Sequence, residues 1–263
     1  KKESERTVED QLSMMIPPYL QDDFYILLDE AIIRAANAIK NKFDKYSNQY
    51  VKHEWVNPDS PYVIAMSSYD QVNYGREYIY PMLALLYGMY FNADTESFCK
   101  KDKIIKPETG AEIPIGLFND EKHSDISAII FSCTITLGKL TSMAISQGIP
   151  SLNTVYNIRR NCDTNKYLLQ VVSTDIPEDI ADGVFVFHNP YAKNRLPEDL
   201  FSEIAVTQFF LEDSYLNYSG NGTPIISRLN TSRAFVPLID SMIKENLRNY
   251  NRLSFEDFYD IQE

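Results

Sequence analysis

Two short segments, Pro61-Tyr62-Val63-Ile64-Ala65-Met66 and Ile126-Ser127-Ala128-Ile129-Ile130-Phe131, are apolar almost without interruption. A strand with one wet face alternates apolar and polar residues, so segments this uniform read as strands covered on both faces. They specify a central sheet with other layers packed against it. The chain has 263 residues, 44% of them apolar and 24% charged, which is enough to build a core around such a sheet.

The strongest helical signal precedes the first run. Phe24, Leu27, Leu28, Ala31, Ile32, Ala35, Ile39 and Phe43 recur at three- and four-residue steps, with Arg34, Asn37, Lys40 and Asn41 on the opposite side. Further helices are expected over 81–91, with Pro81 in the first turn, and over 137–147, ended by Gly148 in a left-handed conformation. Residues 168–172 and 184–187 read as additional strands, and the polar stretch 92–125 as loops with a hairpin. Segments 205–211 and 224–227 read as an antiparallel pair turned by Ser219-Gly220-Asn221-Gly222. Short helices are expected at both ends: one begun by Thr7-Val8-Glu9-Asp10 and stopped by Pro17 and Pro18, and two over 237–248 and 254–260. Alternating strands and helices imply the α/β class, a central mixed sheet flanked by helices. The expected organisation is an α/β core over 1–200 and an appendage over 201–263, a β-hairpin and helices packed on that core.

Lys plus Arg number 25 against 37 Asp plus Glu, a net charge of −12. That sign repels a phosphate backbone at long range and disfavours unassisted nucleic-acid binding. Cys99, Cys133 and Cys162 form no metal-binding or disulfide pattern, which points to a reducing cytoplasm. The longest apolar stretch, 81–91, is about half a bilayer span, so no membrane association is expected. The chain opens on Lys1-Lys2 without an initiator Met, as a fragment of a longer protein would.

Thr134-Ile135-Thr136-Leu137-Gly138-Lys139 sits between a strand and a helix, where a phosphate-binding loop would lie. Such a loop needs glycine where Cys133 stands and Ser or Thr where Leu140 stands, so the segment reads as a plain strand-to-helix turn with Lys139 exposed. His123 near Asp120, Glu121 and Asp125 has no regular ligand spacing and reads as a charged loop, and no metal site is expected there. His188, with Asn189, follows Phe185-Val186-Phe187 at the carboxyl end of a strand, the end at which open α/β sheets hold ligands. Ser67 and Thr134 follow the two apolar runs in the same way. His188, Asn189, Ser67 and Thr134 are therefore the candidate ligand-binding residues, provided they converge on one pocket.

Residues 31–50 followed by Ser60-Pro61-Tyr62-Val63-Ile64-Ala65-Met66 resemble the helix-then-strand segment of restriction-endonuclease-like proteins. Gly116-Leu117-Phe118, Ile126-Ser127-Ala128-Ile129-Ile130-Phe131-Ser132, Gly138-Lys139 and His188-Asn189-Pro190 with Leu196-Pro197 resemble a poorly characterised family of bacterial hypothetical proteins, over most of 20–200. The first resemblance implies a three-layer sandwich and, in its catalytic members, a PD-(D/E)xK site acting on nucleic acid with Mg²⁺. Those acidic residues precede the long helix in that superfamily, and residues 1–21 contain no such strand, so no catalytic residue carries over and Mg²⁺ follows only if the nuclease reading holds. Three functions stay open: the distal part of a nuclease-like protein; a non-catalytic interaction module of degenerate nuclease-like fold that binds a protein partner or its own copy; or a small-molecule-binding enzyme using the strand ends near Ser67, Thr134 and His188.

Overall fold

The computed structural model describes residues 24–68, 77–95, 97–135, 137–164, 167–213, 215–237 and 240–241. The expected amino-terminal helix lies outside them, as do most of the connection after the first apolar run and the closing helices beyond residue 241.

Helix α1, Phe24–Asn48, buries Phe24, Leu28, Ala31, Ile32, Ala35 and Ile39, the stripe set out by the sequence periodicity. Its wet side carries Arg34–Glu30 and Lys40–Asp44 pairs one turn apart, and Lys45 sits in the last turn, where a cation suits the helix dipole. The first apolar run forms β1, Val63–Ser67, and the second forms β6, Ala128–Ser132. They pair in parallel from Val63 against Ala128 to Ser67 against Ser132. Strands β9, Phe185–His188, β10, Thr207–Glu212, and β11, Tyr215–Gly220, complete a mixed five-stranded sheet in the order β1-β6-β9-β10-β11. A second sheet has the order β12-β7-β8, with β7 at Asn153–Arg160, β8 at Tyr167–Val171 and β12 at Ile225–Ser232. Two hairpins occupy the polar stretch: β2, Met89–Asn92, with β3, Ser97–Lys100, and β4, Lys103–Ile105, with β5, Glu112–Pro114.

The chain is therefore α/β, but it departs from the sequence reading in several places. One face of the five-stranded sheet, through Ile64, Ile129, Phe131, Phe185, Phe187 and Phe209, packs with α1 and with helix α2, Tyr80–Tyr87. The other face is closed by the connections on either side of β9, through Ala181, Leu196, Val206 and the half-buried Phe201, rather than by a helical layer among the described residues. β6 is buried along nearly its whole length, but β1 lies at the sheet edge, where Ala65 is exposed. The segments after 200 are not an appendage. β10 pairs with β9 and β12 with β7, so residues 207–232 are woven into both sheets. The hairpin partner of β10 is β11, turned at Asp213, whereas 219–222 carries the chain from one sheet to the other.

α2 is buried at all eight positions, as a helix without a polar face must be. It ends at Tyr87, four residues before the expected boundary, because Gly88 adopts φ +68° and its N–H closes on the Ala84 carbonyl. A Cβ there would stand 2.9 Å from the Lys101 carbonyl oxygen, in a left-handed backbone that costs an L residue about 1–2 kcal/mol. Gly88→Ala is expected to destabilise the fold by about 2 kcal/mol or more, read as a lower urea midpoint at unchanged slope.

Candidate functional site

Helix α3, Leu137–Ser146, is inverted relative to an ordinary surface helix. Its buried positions are Lys139, Ser142 and Ser146, all polar. Leu137 and Leu140, 74% and 68% exposed, face outward. The reason lies beneath it. Glu178, whose side chain is fully buried, receives Lys139 Nζ at 3.0 Å and Arg228 on Oε1, and the Ser142 hydroxyl together with Asn157 Nδ2 at 3.0 Å on Oε2. The Ser146 hydroxyl accepts the Glu178 backbone N–H at 2.9 Å.

The network extends outward from this carboxylate. Lys139 also donates to the Asp182 and Asp179 carbonyls at 2.8 and 3.3 Å. Arg228 donates to the Thr134 carbonyl and, through Nε, to Asn157 Oδ1 at 3.1 Å. Asp182 pairs with Arg159 and accepts Asn221 Nδ2 at 3.0 Å, while Arg159 reaches Gln170 Oε1 at 2.6 Å and the Thr223 carbonyl at 2.8 Å. Three cations thus face two carboxylates, and backbone carbonyls and the Asn157 and Gln170 amide oxygens accept from the other donors. Burial pushes the Glu178 carboxyl upward, but Arg228, Ser142, Lys139 and Asn157 together outweigh it and hold it below the ordinary glutamate value. With its partners fixed and its carboxylate shut from water, the cluster orients α3 on β7 and β12; it is a clamp rather than a reaction centre.

The four sequence candidates do not share a pocket. β6 and β9 are antiparallel, with Ala128 opposite His188, so Ser67 and Thr134 lie at one end of the sheet and His188 and Asn189 at the other. Their expected convergence is corrected by a mixed strand direction that the apolar runs do not encode. His188 Nε2 meets Gln208 Oε1 at 2.9 Å, its ring stacks on Phe210, and burial lowers its pKa. Asn189 donates to the His123 and Ile126 carbonyls at 3.0 and 2.8 Å and accepts the Tyr191 N–H, fixing a turn. Ser67, half-buried, pairs with Ser132 in the β-ladder. Thr134 is buried below the clamp, where its hydroxyl leaves no room for a side chain at Gly183. Lys139, expected to be exposed, is instead a clamp residue.

Asp120, Asp125 and Cys133 are likewise occupied or closed. Asp120 caps the turn Glu121–His123 through the Lys122 N–H, and Asp125 pairs with Lys193 at 2.7 Å. Burial pushes the Cys133 thiol up to about 12, so it is no nucleophile at neutral pH. Among the described residues, no group of three or more His, Cys, Asp and Glu side chains could hold a metal ion, and no helix is long and apolar enough to cross a membrane. Comparison with protein-family models, curated proteins and solved structures found no match.

Sequence reasoning missed Glu178, Asp182, Arg159 and Arg228, which lie in unremarkable polar surroundings. The available signal was the 137–146 helix itself, whose polar residues Lys139, Ser142 and Ser146 share one side. Glu178→Gln removes the charge that two buried cations require, and is expected to cost about 3–5 kcal/mol in urea unfolding at neutral pH. Because the folded pKa is depressed, the glutamate's stabilisation is present above its unfolded value and is lost as pH falls through the folded one. The wild type should therefore lose stability more steeply than Glu178→Gln below the ordinary glutamate range, measured by unfolding at a series of acidic pH values.

Proposed function

We propose that this chain is a non-catalytic interaction module that binds its own copy through the outer face of α3. The observation that carries the reading is the inversion of that helix. Leu137 and Leu140 on its outer side are joined by exposed Ile135 before it and by Ile149 and Leu152, the latter 87% exposed, after it. Ile176 and Ile180, also exposed, flank Glu178 in the loop that holds the helix from below. Exposed aliphatic side chains gathered on a water-facing helix and its flanking segments are the signature of an interaction site.

A second copy is the occupant that the charge distribution favours. Residues 135–154 contain one charged residue, Lys139, and its side chain is turned inward. Two chains of net charge −12 repel over most of their surfaces, so an uncharged face is where they can approach at least electrostatic cost. The face is also self-complementary in kind, as a two-fold dimer interface must be. The nuclease alternative rests on the sequence resemblance alone; the inverted helix is a specific observation in favour of assembly.

Sedimentation velocity across a concentration series tests the reading. The wild type is expected to dimerise, with little dependence on salt. Leu137→Asp with Leu140→Asp should weaken dimerisation at least tenfold while leaving the circular-dichroism melt intact, because both side chains are exposed already. A wild type that stays monomeric throughout the series, or a double variant that dimerises as before, overturns it.

A further inference from the structure

A second surface, on the opposite kind of physics, lies at the free side of β1. Tyr62 accepts the Ser127 N–H at 2.8 Å and Ser68 donates to the Ser132 carbonyl at 3.2 Å, so the even-numbered residues of this stretch turn their backbone groups toward β6. By the two-residue period of a strand, Val63 and Ala65 turn theirs away from it. β1 is terminal in its sheet, and those outward groups have no strand partner among the described residues. Proteins commonly blunt such edges, and those left open serve as templates for another strand.

The wall beside this edge is basic and aromatic. A cleft of about 200 Å³ is lined by Lys42, Lys45, Tyr50, Tyr62, Val63, Ile64 and Ala65. Its aromatic side is fixed: Tyr46 stacks on Tyr62 at 3.8 Å between ring centroids, and the Tyr62 hydroxyl donates to the Lys42 carbonyl at 3.2 Å. Lys40 is paired with Asp44, whereas Lys42 and Lys45 are exposed and pair with no carboxylate among the described residues. Among the described residues, two cations without a carboxylate partner beside an unpaired strand edge stand out in a chain of net charge −12.

We propose that this edge and cleft bind an extended acidic polypeptide segment, which adds to the sheet beside β1 with alternate carboxylates over Lys42 and Lys45. The open backbone groups supply the pairing and the lysines supply the preference for acid. A second copy of β1 is disfavoured as occupant, because it brings its own lysines to the same cleft. This surface is separate from the α3 face, so either can fail without the other.

The probe is a fluorescein-labelled, acetylated peptide of alternating Glu and Val, titrated by fluorescence anisotropy. Binding is expected, weakened about tenfold or more by Lys42→Glu with Lys45→Glu and by raised salt. Both lysines are exposed, so the variant should fold. The same peptide N-methylated at every residue keeps the charge but has no N–H to donate to a ladder, and is expected not to bind. Amide hydrogen exchange should show new protection at Val63 and Ala65 on peptide addition. Equal binding by the N-methylated peptide, indifference to the lysine reversals, absence of protection at Val63 and Ala65, or capture of inorganic polyphosphate with the peptide inert would each overturn the proposal.

Discussion

Glu178 is a fully enclosed carboxylate, and a carboxylate out of water persists as an anion only when its partners repay the lost hydration. Those partners come from distant parts of the chain: Lys139 and Ser142 on α3, Asn157 on β7 and Arg228 on β12. Removing any one leaves an unmatched charge or donor in a dry place, so the four segments are mutually conditional. The docking of α3 on the second sheet follows from this requirement rather than from hydrophobic burial. The same cluster ties down Thr134 and the 178–183 loop, and with them the carboxyl end of β6.

The orientation of α3 has a cost at the surface. A helix that turns Lys139, Ser142 and Ser146 inward must show water Leu137 and Leu140. Aliphatic surface of that kind is unfavourable in an isolated chain and favourable at a contact, so the internal electrostatics and the external stickiness are one feature seen from two sides. The β1 edge differs in character. There the available groups are backbone donors and acceptors, directional and short in range, beside two long flexible cations. The first surface selects for shape and apolarity, the second for an extended backbone and negative charge.

Much of the architecture is legible in local pattern because each piece depends on neighbours close in sequence. The α1 stripe, the two apolar runs as strands and Gly148 ending α3 all follow from residue spacing. β7 was not legible: Asn157 and the paired arginines Arg159 and Arg160 break the apolar pattern, and the polar Asn157 is buried only because Glu178 and Arg228 meet it. The partner of β10 was not legible either. The sequence offers 219–222 as its turn, but the chain turns at Asp213, and β12, the expected partner, pairs with β7 instead.

The candidate residues divide in the same way. The sequence by itself determined that Ser67, Thr134 and His188 stand at or just beyond strand ends, since that needs only knowledge of where an apolar run stops. Whether those ends meet depends on strand direction, and the antiparallel pairing of β9 with β6 placed His188 at the opposite end of the sheet from Ser67 and Thr134. The sequence likewise determined that 137–146 is a helix with a polar and an apolar side. Only the tertiary structure decided which side faces in, because the buried charge of Glu178 outweighs the tendency of leucine to leave water.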